Sequence, residues 1–436
     1  MLNAFLLCAT LLSAASDLKP LRFDTHDHGP PPPNVPLVEP WRRITLDPQY
    51  GGLWVVTGDL DGDRVPEIVS CENVNRNDVH YTSTAVAQKL DGAVMWRWGD
   101  PGVGRKKWHH DVACQIHDWD GDGRAEVILA TKGYLVELDG RTGREKRRIA
   151  IPPEATDCLV FADLAGRGRP QEVLVKTRYT QIWAYSREGK LLWTCRMPGG
   201  WRTAHQPRPF DLDGDGRQEI MAGYVLLNPD GSTRWAYRSR AVKQERGHLD
   251  CVRILKKARK LQEFRLALTC CGAKNLACID GTGKVLWEVS GYHFESIQVG
   301  FLFPDLSQPQ LLVDIDHRPF GKSPLCVFSS EGKLLGRIMG DYCRHHAFLD
   351  WTGDGYDEIL IAYAHAVFNS NGRRIATLHT GKPGVSLLLG DMTGDGVSDV
   401  TIVTDDPPTV HIFRNERGKP RGGPAPPGCG LNFTLY

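Results

Sequence analysis

Short apolar segments alternate with short acidic, glycine-containing loops from about Trp41 to near the end of the chain. Each repeat of the pattern consists of an apolar segment, an acidic loop, a second apolar segment and a hairpin with glycine at its turn. The helical period of about 3.6 residues is essentially absent. The pattern therefore predicts an all-β protein built from many short antiparallel strands.

The number of repeats follows from the acidic loops. Two degenerate copies, around Lys256 and at Asp305, fill the gap between the fourth and the fifth recognisable loop. Start-to-start spacings run from 41 residues (Asp350 to Asp391) to 59 (Asp59 to Asp118), which suits a four-stranded propeller blade. The recognisable loops begin at Asp59, Asp118, Asp163, Asp211, Asp350 and Asp391. We therefore predict a β-propeller of eight blades, with seven as the alternative, each blade having four antiparallel strands.

The glycine turns give a second, independent count of eight. They lie at Asp91-Gly92, Asp139-Gly140, Glu188-Gly189, Asp230-Gly231, Asp280-Gly281, Glu331-Gly332, Asn371-Gly372 and Glu416-Arg417-Gly418. Several are followed by a tryptophan, as at Trp193, Trp235 and Trp287. This spacing predicts an outer strand that packs its aromatic ring against the next blade.

The N-terminal region divides into two predicted parts. Residues 1–16 contain an apolar stretch that ends in small residues, which predicts a signal peptide; a buried N-terminal segment is the alternative, because no basic residue precedes the stretch. Residues 17–40 are rich in proline and predict a linker. The propeller domain then covers residues 41–436, and the export signal predicts a secreted or periplasmic protein.

The ring must also close, because an open edge of a sheet exposes unpaired backbone groups. The outer strand of the last blade could come from the C-terminal residues 431–436 (LNFTLY) or from residues 41–46 (WRRITL). Of these two segments, the C-terminal one is the favoured candidate.

Composition excludes several classes of function. The chain has 53 basic and 52 acidic residues and a formal charge of +1, so no bulk charge favours nucleic acid or an anionic membrane. No second apolar run approaches the roughly 18 residues of a membrane span. The 12 cysteines form no CxxC pair, and most lie in strand-like segments as small buried side chains. We expect a monomer.

The acidic loops have the composition of a calcium site. Aspartates at alternate positions, a glycine turn and a carboxylate four residues after the last aspartate supply the oxygen ligands that calcium takes. A solvated acidic turn is the bland alternative. The candidate ligands are Asp59, Asp61, Asp63, Glu67, Asp118, Asp120, Asp122, Glu126, Asp211, Asp213, Asp215, Glu219, Asp350, Asp354, Glu358, Asp391, Asp395 and Asp399. In the third loop Arg167 replaces a ligand, so we expect no ion there. Bound Ca²⁺ would serve the fold rather than the chemistry.

Chemistry is expected at the mouth of the central channel, near the residues that precede each first strand. Seven of the 15 histidines fall in these short windows. Histidine can act as a base near neutral pH, and a neighbouring arginine can neutralise a substrate carboxylate. The candidate catalytic residues are His110, His205, His248, Arg202, Arg344, His345 and Tyr342. Structural hydrogen bonding and a transition-metal site are the alternatives for these histidines.

The acidic loops resemble FG-GAP or integrin-type repeats. The segments LDGAVMWRWG and DWDGDGRAEVILAT, and DLDGDGRQEIMAGYVLLNPDGS after His205, resemble the calcium-dependent rhamnogalacturonan lyases built on an eight-bladed propeller. The order of the histidine-bearing segments is similar as well, from about Leu53 to Thr404. The segment from Gly247 to Asp250 departs from the family's Gly-His-Gly-Asp pattern by having leucine after His248.

The resemblance implies a secreted lyase that cleaves an acidic, uronate-containing polysaccharide of the rhamnogalacturonan type by β-elimination. One arginine, Arg202 or Arg344, would hold the uronate carboxylate. One histidine, His110, His205 or His248, would remove the C5 proton. A non-catalytic propeller that binds a glycan or a protein through the same rim is the alternative.

Overall fold

The computed structural model describes residues 18–27, 31–76, 79–103 and 112–420. These residues form eight antiparallel sheets arranged as the blades of a propeller, which confirms the predicted fold class and blade number. The strands of the first four blades, from the innermost outward, are Trp54–Gly58, Glu67–Arg76, Val79–Gln88 and Val94–Gly99; Cys114–His117, Glu126–Thr131, Tyr134–Asp139 and Glu145–Ala150; Leu159–Ala162, Glu172–Lys176, Gln181–Tyr185 and Leu191–Arg196; and Thr203–Phe210, Glu219–Gly223, Val225–Leu227 and Thr233–Ala236.

The other four blades follow the same order. Their strands are His248–Lys256, Arg265–Cys271, Asn275–Asp280 and Val285–Ser290; Phe294–Gly300, Gln310–Ile315, Ser323–Phe328 and Leu334–Gly340; His346–Leu349, Glu358–Ile361, Ala366–Phe368 and Arg374–Leu378; and Gly384–Gly390, Asp399–Thr404, Thr409–Phe413 and, outermost, Arg42–Thr45. Helix in the described residues is limited to three short 3₁₀ turns, at Pro101–Val103, Pro198–Gly200 and Gln244–Arg246.

The antiparallel order separates the loops onto two faces of the ring. The start of each first strand and the turn between the second and third strands lie at one end of a blade, which we call the upper face; His248 on a first strand, for example, pairs with Cys271 at the end of the second. The acidic loops and the glycine turns lie at the opposite end, the lower face. The histidine windows and the acidic loops are therefore on opposite faces.

Neighbouring blades are joined by outer-strand tryptophans, as predicted. The indole N–H of Trp193 donates to the carbonyl of Pro229 at 3.0 Å, in the glycine turn of the next blade. Trp235 and Trp287 make the equivalent bonds to the following blades, at 3.0 and 2.8 Å. The repeated tryptophan thus links each of these blades to the next by a hydrogen bond as well as by packing.

The closing strand comes from the N-terminal side, so the prediction of a C-terminal closing strand was wrong. Arg42–Thr45 pairs antiparallel with Thr409–Phe413 and forms the fourth strand of blade 8. Ile44 and Leu46 are buried in a core shared by blades 8 and 1. The rejected candidate, residues 431–436, lies outside the described residues.

The predicted linker also needs correction, because part of it belongs to the sheets. Phe23–His26 pairs parallel with the outer strand of blade 6, and Leu37–Val38 with that of blade 7. Arg337 of blade 6 binds Asp24 in two contacts, the longer at 3.0 Å. The N-terminal segment therefore covers the edges of two blades before it closes the third.

The described cysteines, ten in number, are all free thiols. No helix in the described part of the chain is long and apolar enough to cross a membrane. The predicted signal peptide lies outside the described residues.

Candidate functional site

Three consecutive blades bring polar side chains together on the upper face. Tyr179 comes from the turn between the second and third strands of blade 3, Arg202 and His205 from the start of blade 4, and His248 from the start of blade 5. The rings of His205 and His248 are 4.6 Å apart, and the ring of Tyr179 lies 5.5 and 4.9 Å from them. We call Tyr179, Arg202, His205, His248 and the adjoining Asp250 the rim site.

The rim histidines are buried behind the tyrosine. His205 is 4% exposed and His248 6%, whereas Tyr179 is half-buried. Both imidazoles contact the buried carboxylate of Asp250: His248 Nε2 lies 2.9 Å and His205 Nε2 3.6 Å from Oδ1. Tyr179 is therefore the better placed of the three to meet a substrate.

Burial sets the protonation of the His248–Asp250 pair. It lowers the pKa of His248 to about 4 and raises the pKa of Asp250 well above its usual range. At neutral pH His248 is thus an uncharged imidazole that can accept a proton, and its 2.9 Å contact with Asp250 joins two neutral groups rather than an ion pair. A bound cation would favour the ionised carboxylate instead.

Two arginines flank the tyrosine. The guanidinium carbons of Arg178 and Arg202 lie 5.4 and 5.2 Å from the centre of the Tyr179 ring, within the range of cation–π contacts. Arg178 Nε also donates to Tyr179 Oη at 3.1 Å. Arg202 is exposed and Arg178 half-buried, so positive charge is available beside the phenol.

A second group of charges adjoins the rim site in blades 5 to 7. His293 Nε2 lies 2.7 Å from both Cys271 Sγ and Glu295 Oε1. Arg344 contacts Glu295 at 2.7 Å and Asp316 at 3.0 Å. Because two carboxylates already bind Arg344, Arg202 is the better candidate for holding a substrate carboxylate.

His80 lies at the start of the long third strand of blade 1, Val79–Gln88, and contacts residues of blade 3. His80 Nδ1 lies 3.4 Å from Asp157 Oδ1, and Lys176 Nζ donates to Asp157 Oδ2 at 2.7 Å. Burial alone would raise the pKa of Asp157, but Lys176 and His80 outweigh it and hold the pKa at about 2. This buried ionic group fixes the base of the Tyr179 turn, since Lys176 also donates to the Arg178 carbonyl.

The remaining predicted residues lie apart from the tyrosine. His110 lies outside the described residues. His345 is buried, and its ring is 6.4 Å from that of Tyr342. Tyr342 lines a pocket of about 130 Å³ between blades 6 and 7, and burial raises its pKa to about 12.

Sequence reasoning missed the residues of the turns between second and third strands, notably Lys176, Arg178, Tyr179 and Cys271. Neighbouring strands of a blade run antiparallel, so these turns lie on the same face as the predicted windows. The strand order read from the repeats could therefore have identified them.

Two groups on the upper face could hold a metal ion. His205, His248 and Asp250 place one ligand atom each within 4.8 Å of one another, and so do Cys271, His293 and Glu295. Imidazole with carboxylate or thiolate suits a divalent transition metal.

The acidic loops of the lower face share one conformation. In blade 2 the first carboxylate, Asp118, accepts the backbone N–H of Gly121 and Gly123 at 2.7 and 3.1 Å, and the last, Glu126, accepts that of Trp119 at 2.9 Å. The loops that begin at Asp59, Asp211, Asp350 and Asp391 repeat these contacts. The backbone thus gathers the carboxylates without neutralising them.

Two loops depart from the others in sequence. Arg64 takes a φ of 69° where the other complete loops have glycine, a conformation that costs a non-glycine residue about 1 kcal/mol. In blade 3 the guanidinium of Arg167 binds the last carboxylate, Glu172, at 2.8 Å.

Comparison with known proteins finds rhamnogalacturonan lyases. The chain is 26% identical to the rhamnogalacturonan exolyase YesX of Bacillus subtilis in an alignment that covers 58% of this chain and 51% of that protein. It is 24% identical to the rhamnogalacturonan endolyase YesW of the same organism in an alignment that covers 86% of this chain and 71% of YesW. The chain thus spans about half the length of YesX. No family model matches it.

Solved structures show the same architecture. The crystal structure of YesW superposes with a TM-score of 0.64 at 21% identity, covering 85% of this chain and 75% of that one. The biofilm matrix protein Bap1 of V. cholerae superposes with a TM-score of 0.60 at 14% identity, covering 91% and 93%. At these identities the superpositions establish the propeller fold alone.

Proposed function

We propose that this protein is a polysaccharide lyase-like propeller that cleaves an acidic, uronate-containing polymer of the rhamnogalacturonan type by β-elimination. The observation that carries the proposal is a half-buried tyrosine, Tyr179, flanked by two guanidinium groups and packed on two buried histidines. The lyase relatives support the substrate class.

The first requirement of β-elimination is neutralisation of the uronate carboxylate, which acidifies the proton on C5. Arg202 is exposed beside Tyr179 and supplies that charge, with Arg178 next to it. Arg344 is left to its two carboxylate partners.

The second requirement is a pair of proton-transfer groups. In the proposed reaction a base takes the C5 proton, the C4–O bond breaks, a C4–C5 double bond forms and the leaving oxygen receives a proton. His248 is an uncharged imidazole at neutral pH and serves as proton acceptor, as His205 could. Tyr179 meets the leaving oxygen, and the hydrogen bond from Arg178 stabilises charge on its phenol oxygen.

A divalent cation fits the same site. Bound to His205, His248 and Asp250, it would act as a Lewis acid toward the uronate carboxylate. The histidines and the aspartate would then hold the cation, Arg202 would keep its role, and the Tyr179 phenolate, stabilised by Arg178, would take the C5 proton and pass it to the leaving oxygen.

The test is incubation of the purified full chain with rhamnogalacturonan and other uronate polymers while ultraviolet absorbance is followed. β-Elimination leaves a conjugated, unsaturated uronate, so absorbance should rise with the acidic polymer and stay flat with a neutral one. A flat signal with every polymer, together with retention on an immobilised uronan, would instead indicate a non-catalytic glycan-binding propeller. The burial of both rim histidines is the observation that favours this second function.

We propose calcium as a structural ion of the lower face, with the acidic loops acting as FG-GAP-type repeats. In the blade 7 and blade 8 loops the last carboxylates, Glu358 and Asp399, are buried, and burial raises the pKa of each. Among the described residues no lysine or arginine pairs with either. In each of these loops, the two positive charges of one bound calcium ion would compensate the buried carboxylate.

Removal of calcium by a chelator should therefore lower the melting temperature by several degrees, because an ion bound only by the folded state adds to its stability. Asp391→Asn should reproduce part of this loss and make the melt less sensitive to chelator. Asp91→Asn, in a glycine turn of the same face, is the matched control. A melt unchanged by chelator would contradict structural calcium.

Export, through a signal peptide at residues 1–16, and a monomeric state complete the proposal. Both suit a protein that acts on an extracellular polymer.

A further inference from the structure

Two blades differ from the others in the type of residue at one position of the outer strand. Seven blades carry a β-bulge that adds one residue to the outer strand. In five of them the extra residue is apolar: Met95, Leu192, Leu286, Leu335 and Ile375. In blades 2 and 4 it is basic, Lys146 and Arg234.

Both basic side chains reach the same two positions of the acidic loop. Lys146 Nζ lies 2.8 Å from Asp120 Oδ2 and 2.7 Å from Glu126 Oε1. Asp120 is the third residue of its loop and Glu126 the last carboxylate. The ammonium thus binds two of the carboxylates that an oxygen cage would need.

Blade 4 repeats the arrangement with a guanidinium. Arg234 Nη2 lies 2.7 Å from Asp213 Oδ2, and Nη1 lies 2.5 Å from Glu219 Oε1. Asp213 and Glu219 hold the loop positions of Asp120 and Glu126. Two blades with different basic residues therefore reach one geometry, which favours a common purpose over a chance surface ion pair.

These two loops are also among the most acidic. Each has aspartate at its first, third and fifth positions and glutamate at the last, whereas the blade 7 and blade 8 loops have threonine at the third. The blade 1 loop has the same four carboxylates with apolar Met95 at its bulge, and there Lys89, beside the glycine turn, binds the third residue, Asp61, at 2.8 Å. A tethered cation competes at an effective concentration of about millimolar, without any ion from solution.

We propose that Lys146 and Arg234 are built-in cations that take the place of calcium in the acidic loops of blades 2 and 4. Calcium sites are then confined to other loops of the ring, although the blade 2 and blade 4 loops have the most complete calcium-type sequences. This proposal does not depend on lyase activity.

The test counts calcium ions per chain by equilibrium dialysis, after chelator treatment of the full protein. Lys146→Met removes the ammonium that binds Asp120 and Glu126, so it should add one bound ion per chain. Its melting temperature should fall in chelator and recover in calcium. Lys132→Met, an exposed lysine at the other end of the same blade, should leave the count unchanged.

Three further variants test whether the gained ion binds in the predicted loop and whether blade 4 behaves like blade 2. Asp118→Asn should leave the count of the wild-type chain unchanged but remove the ion gained by Lys146→Met. Arg234→Met should independently add one ion, which covers a failure of Lys146→Met to fold. An unchanged count in both methionine variants, or loss of an ion on Asp118→Asn in the wild-type chain, would overturn the proposal.

Discussion

A chain that lacks residues 1–46 is expected to lose the propeller fold as a whole, whereas one that lacks residues 1–40 should keep it with a modestly lower melting temperature. The longer deletion removes Arg42–Thr45, the fourth strand of blade 8. The edge of Thr409–Phe413 would then be unpaired, and the core shared by blades 8 and 1 would open to water. Far-ultraviolet circular dichroism and thermal melting of both proteins check this.

Point variants separate the closing contact from deletion effects. Ile44 is 2% exposed and packs in the shared core, so Ile44→Ala should cost about 2–5 kcal/mol of unfolding free energy. Thr45 is exposed on the same strand, so Thr45→Ala should cost less than about 0.5 kcal/mol. Equal melting of the two variants, or a folded chain without residues 1–46, would refute N-terminal closure.

The closing strand shows where the sequence pattern reaches its limit. Blade number could be read from the chain because each loop and glycine turn is a local signal repeated eight times. Closure is a single long-range pairing, and WRRITL and LNFTLY have similar alternation of apolar and polar residues. Only the packing of Ile44 and Leu46 between blades 8 and 1 distinguishes them.

Two short N-terminal strands were missed for a related reason. Phe23–His26 and Leu37–Val38 are flanked by prolines, which favour a linker by composition. Each nevertheless pairs parallel with an edge that another blade offers. An edge strand can tolerate nearby proline because only one side of it is paired.

The rim site was predicted in part. The prediction that His205 and His248 lie together on one face is confirmed by their 4.6 Å ring separation. Tyr342 and Arg344 were selected for the right face, but contacts that no sequence pattern shows direct Tyr342 to a pocket between blades and Arg344 to Glu295. Their catalytic roles stay predictions, as do those of the other candidates.

The largest effect on activity is expected at Tyr179. Tyr179→Phe removes only the phenol oxygen, so it should lower kcat by about 10²- to 10⁴-fold, the usual contribution of a proton-transfer group. The melting temperature should stay nearly unchanged, because Tyr179 is half-buried at the rim and outside the blade cores. Tyr363→Phe, at an exposed tyrosine of blade 7 on the same face, is the matched control.

Variants of the neighbouring residues test the division of roles around that phenol. Arg202→Met should lower kcat as well as raise KM for the uronate polymer, because the charge that neutralises the carboxylate also stabilises the negative charge that develops when the C5 proton leaves. His248→Gln should lower kcat by a factor similar to that of Tyr179→Phe, since each removes one partner of the proton transfer. Activity of Tyr179→Phe within a few-fold of the wild type would remove the phenol from the mechanism and leave the two histidines to carry both proton transfers.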